Sequence, residues 1–165
     1  MKTRARIVST VAALAVLALG GCASDDGSDQ DDVSGQTAEI PSGDFASTQD
    51  MEDFLTNSID DVDVHRESET NPDFDAAKDA DRLHVEFPSA GKKGTDRKAS
   101  ADAVQASGVA TFDYDVLMIT GTTDTGTWSY MYSSDTVAEL TADDAVVEAD
   151  SVWEHADQDF DSVHR

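Results

Sequence analysis

Residues 112–133 read FDYDVLMITGTTDTGTWSYMYS, and this stretch decides the fold. Phe112, Tyr114, Val116 and Met118 alternate with Asp113 and Asp115, the period of two that sends successive side chains to opposite faces of a strand. Leu117 and Ile119 make the far end apolar on both faces, as a central strand requires. The segment from Gly121 to Gly126, GTTDTG, has the composition of a turn. From Thr127 to Ser133 the alternation resumes, with Trp128, Tyr130 and Tyr132 on one face. The pattern predicts a β-hairpin with aromatic packing across its strands.

Outward from the hairpin, residues 82–87 (RLHVEF) alternate polar and apolar strictly, which predicts a half-buried strand ended by Pro88. Met51, Phe54, Leu55, Ile59 and Val62 recur at spacings of three and four, the stripe of an amphipathic helix. Ser47 or Thr48 suits its cap, and Asp50, Glu52 and Asp53 suit the positive end of its dipole. Residues 66–81 are polar, with Asn71-Pro72 as a breaker. Residues 91–98 read as a loop, and Ser100 to Ser107 as a short helix stopped by Gly108. A closing helix is expected from Ala142 to Ala156, capped by Thr141, with Ala145, Val146, Ala149, Val152, Trp153 and Ala156 in one stripe. Together these elements predict an α+β fold. Its antiparallel sheet centres on the aromatic hairpin and is packed by an N-terminal and a C-terminal helix. About 120 residues, 45–165, suffice for one hydrophobic core and are too few for two.

The chain opens MKTRARIVSTVAALAVLALGGCAS. Lys2, Arg4 and Arg6 precede an uncharged, mostly apolar run from Ile7 to Leu19, and two glycines lead to Cys22, the sole cysteine. That is the layout of a secretory signal, and Leu19-Gly20-Gly21-Cys22 resembles the lipobox of bacterial lipoproteins. The resemblance implies cleavage before Cys22 and a diacylglycerol thioether on its sulfur. Residues 1–21 would then be a signal peptide. The apolar run is shorter than the roughly 20 residues that span a bilayer, whereas two acyl chains anchor a protein stably. Arg4 and Arg6 are separated by Ala5, so no twin-arginine export signal is present. Residues 22–44, rich in Asp, Ser, Gly and Gln, read as a disordered acidic tether. The expected location is the extracytoplasmic face of the cell membrane. With Cys22 consumed by lipid, the domain has no disulfide and depends on its core.

Charge narrows the partners. Lys2, Arg4 and Arg6 leave with the signal, so eight of the 11 Lys+Arg remain against all 35 Asp+Glu, a formal −27. Duplex nucleic acid is excluded, because phosphates are bound by Lys and Arg clusters. Anionic headgroups likewise attract basic segments rather than acidic ones. The expected partners are the membrane, through the lipid, and an unidentified envelope partner or ligand.

Motifs for chemistry are sparse. Asp124-Thr125-Gly126 matches the core tripeptide of aspartic proteases, but Thr122-Thr123 precedes it where an apolar strand belongs, and no second copy exists. His65, His84, His155 and His164 are the only imidazoles. They form neither H-E-x-x-H nor a close pair at helical spacing, so surface histidines are expected, with no metal and no cofactor. Acidic alternations at Asp61/Asp63, Asp73/Asp75, Asp79/Asp81 and Asp157/Asp159/Asp161 offer calcium-like spacing. Ser162, however, stands where a calcium loop needs glycine. Lys92, Lys93, Arg97 and Lys98 hold half the mature chain's cations. They read as a solvated loop, a docking point for an anionic partner, or an internal partner for the acidic surface. Phosphate-loop, nucleophile-elbow and Ser-x-x-Lys motifs are absent. The expectation is a lipid-anchored, non-catalytic binding or interaction module. The alternatives are an anchored hydrolase using Asp124 or the Asp113/Asp115 pair, and a structural envelope protein acting through bulk charge.

Overall fold

The computed structural model describes residues 35–164. The expected signal segment, Cys22 and the first part of the expected tether lie outside the described residues. The strands are β1 (Asp63–Arg66), β2 (Arg82–Pro88), β3 (Val116–Thr122), β4 (Thr127–Ser133) and β5 (Gln158–Asp161), and they lie side by side in that order. The helices are α1 (Thr48–Leu55), α2 (Glu67–Thr70), α3 (Lys93–Ser107) and α4 (Ser134–Leu140). An α+β domain is what the sequence pattern implies, but the sheet is mixed. β2 and β3 are parallel while every other pair is antiparallel. The reason is α3, which carries the chain back over the sheet between them, the connection that parallel neighbours need.

The hairpin of β3 and β4 forms as its turn residues dictate. The Thr123 N–H donates to the Gly126 carbonyl at 2.8 Å, and the Thr123 hydroxyl accepts from the Gly126 N–H. The strand begins at Val116, later than the alternation suggests, and its core face is Leu117 and Ile119. Val116 and Met118 are half-buried on the opposite face. Register explains the reversal: Leu117 and Ile119 lie opposite Tyr132 and Tyr130, and those side chains are buried. Trp128 lies opposite Gly121, where an added Cβ would sit 2.3 Å from the indole. Only glycine leaves room for that ring.

α1 is capped by Ser47, whose hydroxyl accepts the Asp50 N–H at 3.2 Å. Met51, Leu55, Ile59 and Val62 are all buried, as their spacing implies, yet the helix stops at Leu55 and the last two are delivered by a turn. α3 is almost twice the expected helix and is buried nearly all round. Its sequence conceals this because it buries polar side chains that hold other segments. Gln105 accepts the Val147 N–H at 2.9 Å, Asp102 accepts the Glu39 N–H at 2.6 Å, and Ser100 accepts the Trp153 indole N–H at 2.8 Å. Buried polar groups with partners cost far less than orphaned ones.

The expected C-terminal helix over 142–156 does not form. Asp143 and Asp144 adopt left-handed φ values of 54° and 60°, which end helical continuation. Beyond them the Ala38 N–H donates to the Val147 carbonyl and the Ala149 N–H to the Gln36 carbonyl, so this segment is extended and paired. Short 3₁₀ turns flank it at Ala142–Asp144 and Val152–His155. The same pairing draws residues 36–38 of the expected tether into the domain, with Ala38 buried.

Candidate functional site

With α3 and the aromatic residues filling one face of the sheet, the other face carries the side chains that alternate out of the core. Register aligns them in rows. One row runs His65, His84, Met118, Met131, Gln158; the next runs Asp63, Glu86, Thr120, Ser129, Phe160. Phe160 is one of two large apolar side chains left exposed among the described residues.

Two residues from the first row and one from the second form a cluster. His65, His84 and Glu86 each place a ligand atom within 4.8 Å of the other two. β1 supplies His65 and β2 supplies His84 directly opposite, so the imidazoles stack with centroids 4.9 Å apart and planes 6° from parallel. Asp63 pairs with His65 Nδ1 at 2.5 Å, which leaves Nε2 free. His84 differs. Its Nδ1 is buried with no hydrogen-bond partner, and Glu86 Oε1 is 3.6 Å away, too far for a hydrogen bond. Burial holds the His84 imidazole below the ordinary histidine value, the nearby His65 adds to this, and Glu86 and Glu67 pull the other way. The neutral imidazole that results is the form that ligates metals. Glu67 itself is held low by its hydrogen bond from Arg82, at 2.6 Å.

A second histidine–carboxylate cluster lies at the far end of the sheet, on the core side. His164 Nε2 meets Asp96 Oδ2 at 2.9 Å, and Nδ1 meets Asp161 Oδ2 at 3.1 Å. Ser89 donates to Asp96 at 2.7 Å, and Tyr130 donates to Asp161 at 3.2 Å. Trp128, Tyr130 and Trp153 enclose it, Trp153 stacking on Tyr130 at 4.4 Å. The space between the hairpin and the C-terminal segment is thus filled by rings, and His164 is sealed there, its side chain 3 % exposed. A concavity of about 420 Å³ lies beside it against Ile59, Phe87, Lys98 and Asp102. Two carboxylates in its wall are engaged, Asp96 by His164 at 2.9 Å and Asp102 by Lys98 at 2.6 Å.

The other residues singled out by sequence are not brought together. Asp124 is at the exposed tip of the hairpin, and Asp115 accepts the Asp81 N–H at 2.7 Å. The Asp157 run is a strand rather than a loop. Asp157 accepts the Ser133 N–H at 2.6 Å beside α4, and this bond holds its carboxyl below the ordinary value. Asp75 is held low by Lys78, its neighbour three residues on. Of the basic cluster, Lys98 pairs with Asp102 and Arg97 lies over the Trp153 ring at 5.3 Å, which makes half of it an internal partner. Lys92 and Lys93 are exposed.

The histidine pair escapes sequence inspection because strand register, not spacing along the chain, creates it. The available signal was that His84 occupies the polar side of an alternating strand and His65 the polar side of Asp63-Val64-His65. No protein-family model, curated protein or solved structure matches this chain. Among the described residues, no helix is long and apolar enough to cross a membrane.

Proposed function

We propose that this chain is a lipid-anchored extracytoplasmic protein whose domain is a non-catalytic binding module, presenting the open face of its sheet. The supporting observation is the asymmetry of that sheet: one face is filled, while the other aligns imidazole and carboxylate groups in rows and leaves His84 Nδ1 without a partner. The anchoring half of the reading is supported by the basic start, the short apolar run and Leu19-Gly20-Gly21-Cys22. A diacyl anchor holds a strongly acidic globule at a bilayer that its charge would otherwise keep at a distance.

Mass spectrometry of protein extracted from native membranes tests the anchor. The expected chain lacks residues 1–21 and carries diacylglycerol on Cys22, and Cys22→Ala moves it out of the membrane fraction. An intact Met1 with an unmodified thiol overturns the anchored reading.

A further inference from the structure

From the geometry of β1 and β2 we infer that His65, His84 and Glu86 form a binding site for a divalent transition-metal ion of the zinc and copper class. The inference rests on the reading of the open sheet face as the binding surface, and it names the ligand.

Two imidazoles and one carboxylate are the donor set of three-ligand zinc sites, which keep a fourth position for water or an incoming group. Imidazole also suits copper, and a nitrogen-rich site disfavours calcium and magnesium, which take oxygen. The three ligand atoms are within 4.8 Å of one another. Tetrahedral binding at about 2.0–2.1 Å needs them about 3.3 Å apart, so the cluster must close by at most about 1.5 Å. His65 stands on an edge strand with 29 % of its side chain exposed and Glu86 with 47 %, so both have room to move.

Three further features fit a metal rather than a chance meeting of side chains. The His84 Nδ1 is buried and unpartnered, an expense that a native fold seldom leaves unexplained. Asp63 accepts from His65 Nδ1 and so fixes Nε2 as the ligating atom, the outer-shell carboxylate that metal-bound histidines usually have. The acidic surface around the site raises the local concentration of cations.

The test uses the purified full chain in detergent, stripped by a chelator and titrated with zinc chloride or copper(II) chloride in the presence of excess calcium. The expected result is one transition ion per chain. His65→Ala and His84→Ala should each lose at least the roughly 10–100-fold in affinity that even an outer-shell partner commands. Glu86→Gln should weaken binding less. Asp63→Asn should weaken it about 10–100-fold and alter the copper paramagnetic-resonance spectrum, and Asp63→Glu should restore both. The copper spectrum of the unmutated chain should show two nitrogen ligands. Melting curves accompany every variant, and if His84→Ala does not fold, His65→Ala decides. Binding that persists in the His65→Ala/His84→Ala double variant, that calcium competes away, or that shows no nitrogen coordination overturns the site. Cys22→Ala should bind the ion unchanged, so failure of the anchor and failure of the metal site are read separately.

Discussion

The molecule contains two histidine–carboxylate clusters at opposite ends of one sheet, and they are built to opposite ends. Both ring nitrogens of His164 have partners, Asp96 and Asp161, with Ser89 and Tyr130 behind them. Around His84 a buried nitrogen has none, and the nearest carboxylate stands off at 3.6 Å. The first is sealed by Trp128 and Trp153 and ties the end of the chain to α3; the second faces outward from an edge strand. The same residue types thus serve the fold where they are satisfied and are available to a ligand where they are not. Stability and binding should separate along that line.

The largest effect belongs to the sealed cluster. Asp96→Ala strands His164 and the Ser89 hydroxyl, and His164→Ala leaves two buried carboxylates without their shared partner. Breaking a buried pair in this way costs about 3–5 kcal/mol, measured by denaturant unfolding. At the open cluster the expectation is reversed. His84→Phe removes an orphaned nitrogen and keeps the volume, a replacement that is nearly neutral or stabilising, while it abolishes metal binding. If His84→Phe destabilises as much as His164→Ala, the two clusters do the same job and the contrast fails.

Gly121→Ala comes next. Its Cβ would lie 2.3 Å from the Trp128 ring, and the aromatic wall that seals His164 would have to shift. Overpacking of this kind costs about 1–3 kcal/mol. Loss of near-ultraviolet dichroism with secondary structure retained would mark it as a change confined to the sealed end.

Acid acts on the sealed end, and alkali on the buried tyrosines. Burial works to raise the Asp161 carboxyl, but N–H donors from His164 and Val163 and the His164 ring outweigh it, so its pKa is lowered. A depressed carboxyl stabilises the fold above its unfolded value and loses that contribution as protons return. Stability should therefore fall as pH drops below about 4. The tyrosines run the other way. Burial pushes Tyr114 up to about 12, and burial together with the Asp161 charge pushes Tyr130 up further. Their neutral forms favour the folded state fully below pH 10, and the benefit disappears as pH rises past that value. Unfolding monitored by tyrosine ionisation should be abrupt rather than gradual. Free titration of all three tyrosines near pH 10 in the folded protein would contradict the burial of their hydroxyls.

How legible this was varies by region. The hairpin, β2 and the α1 stripe follow from periodicity, because their buried residues are apolar and evenly spaced. Half of α3 has the pattern of a loop, since its buried face includes Asp96, Ser100, Asp102 and Gln105, whose partners lie far along the chain. The stripe over 142–156 looked helical, yet two left-handed aspartates and pairing with residues 36–38 win there. The parallel pairing of β2 with β3 follows from the length of α3, which the periodicity of its apolar residues understates. The candidate site was invisible for the same reason: His65 and His84 meet only through register.

The smallest effect is the one that probes the whole surface. Of the seven Lys and Arg among the described residues, Arg66, Lys78, Arg82 and Lys98 already pair with carboxylates, leaving most of the chain's 35 acids without a counter-charge. Exposed pairs are worth about 0–1 kcal/mol each, so weakening them with salt loses little. Screening the unpaired acids gains more, since the Debye length falls from about 10 Å at 0.1 M to about 3 Å at 1 M. The melting temperature should therefore rise with ionic strength. The sealed cluster lies out of reach of that screening, so the gap in melting temperature between the wild type and His164→Ala should stay nearly constant as salt increases. A gap that closes with salt would mean that water and ions reach Asp96 and Asp161. The division between a satisfied interior histidine and an unsatisfied surface pair would then not be the organising feature of this fold.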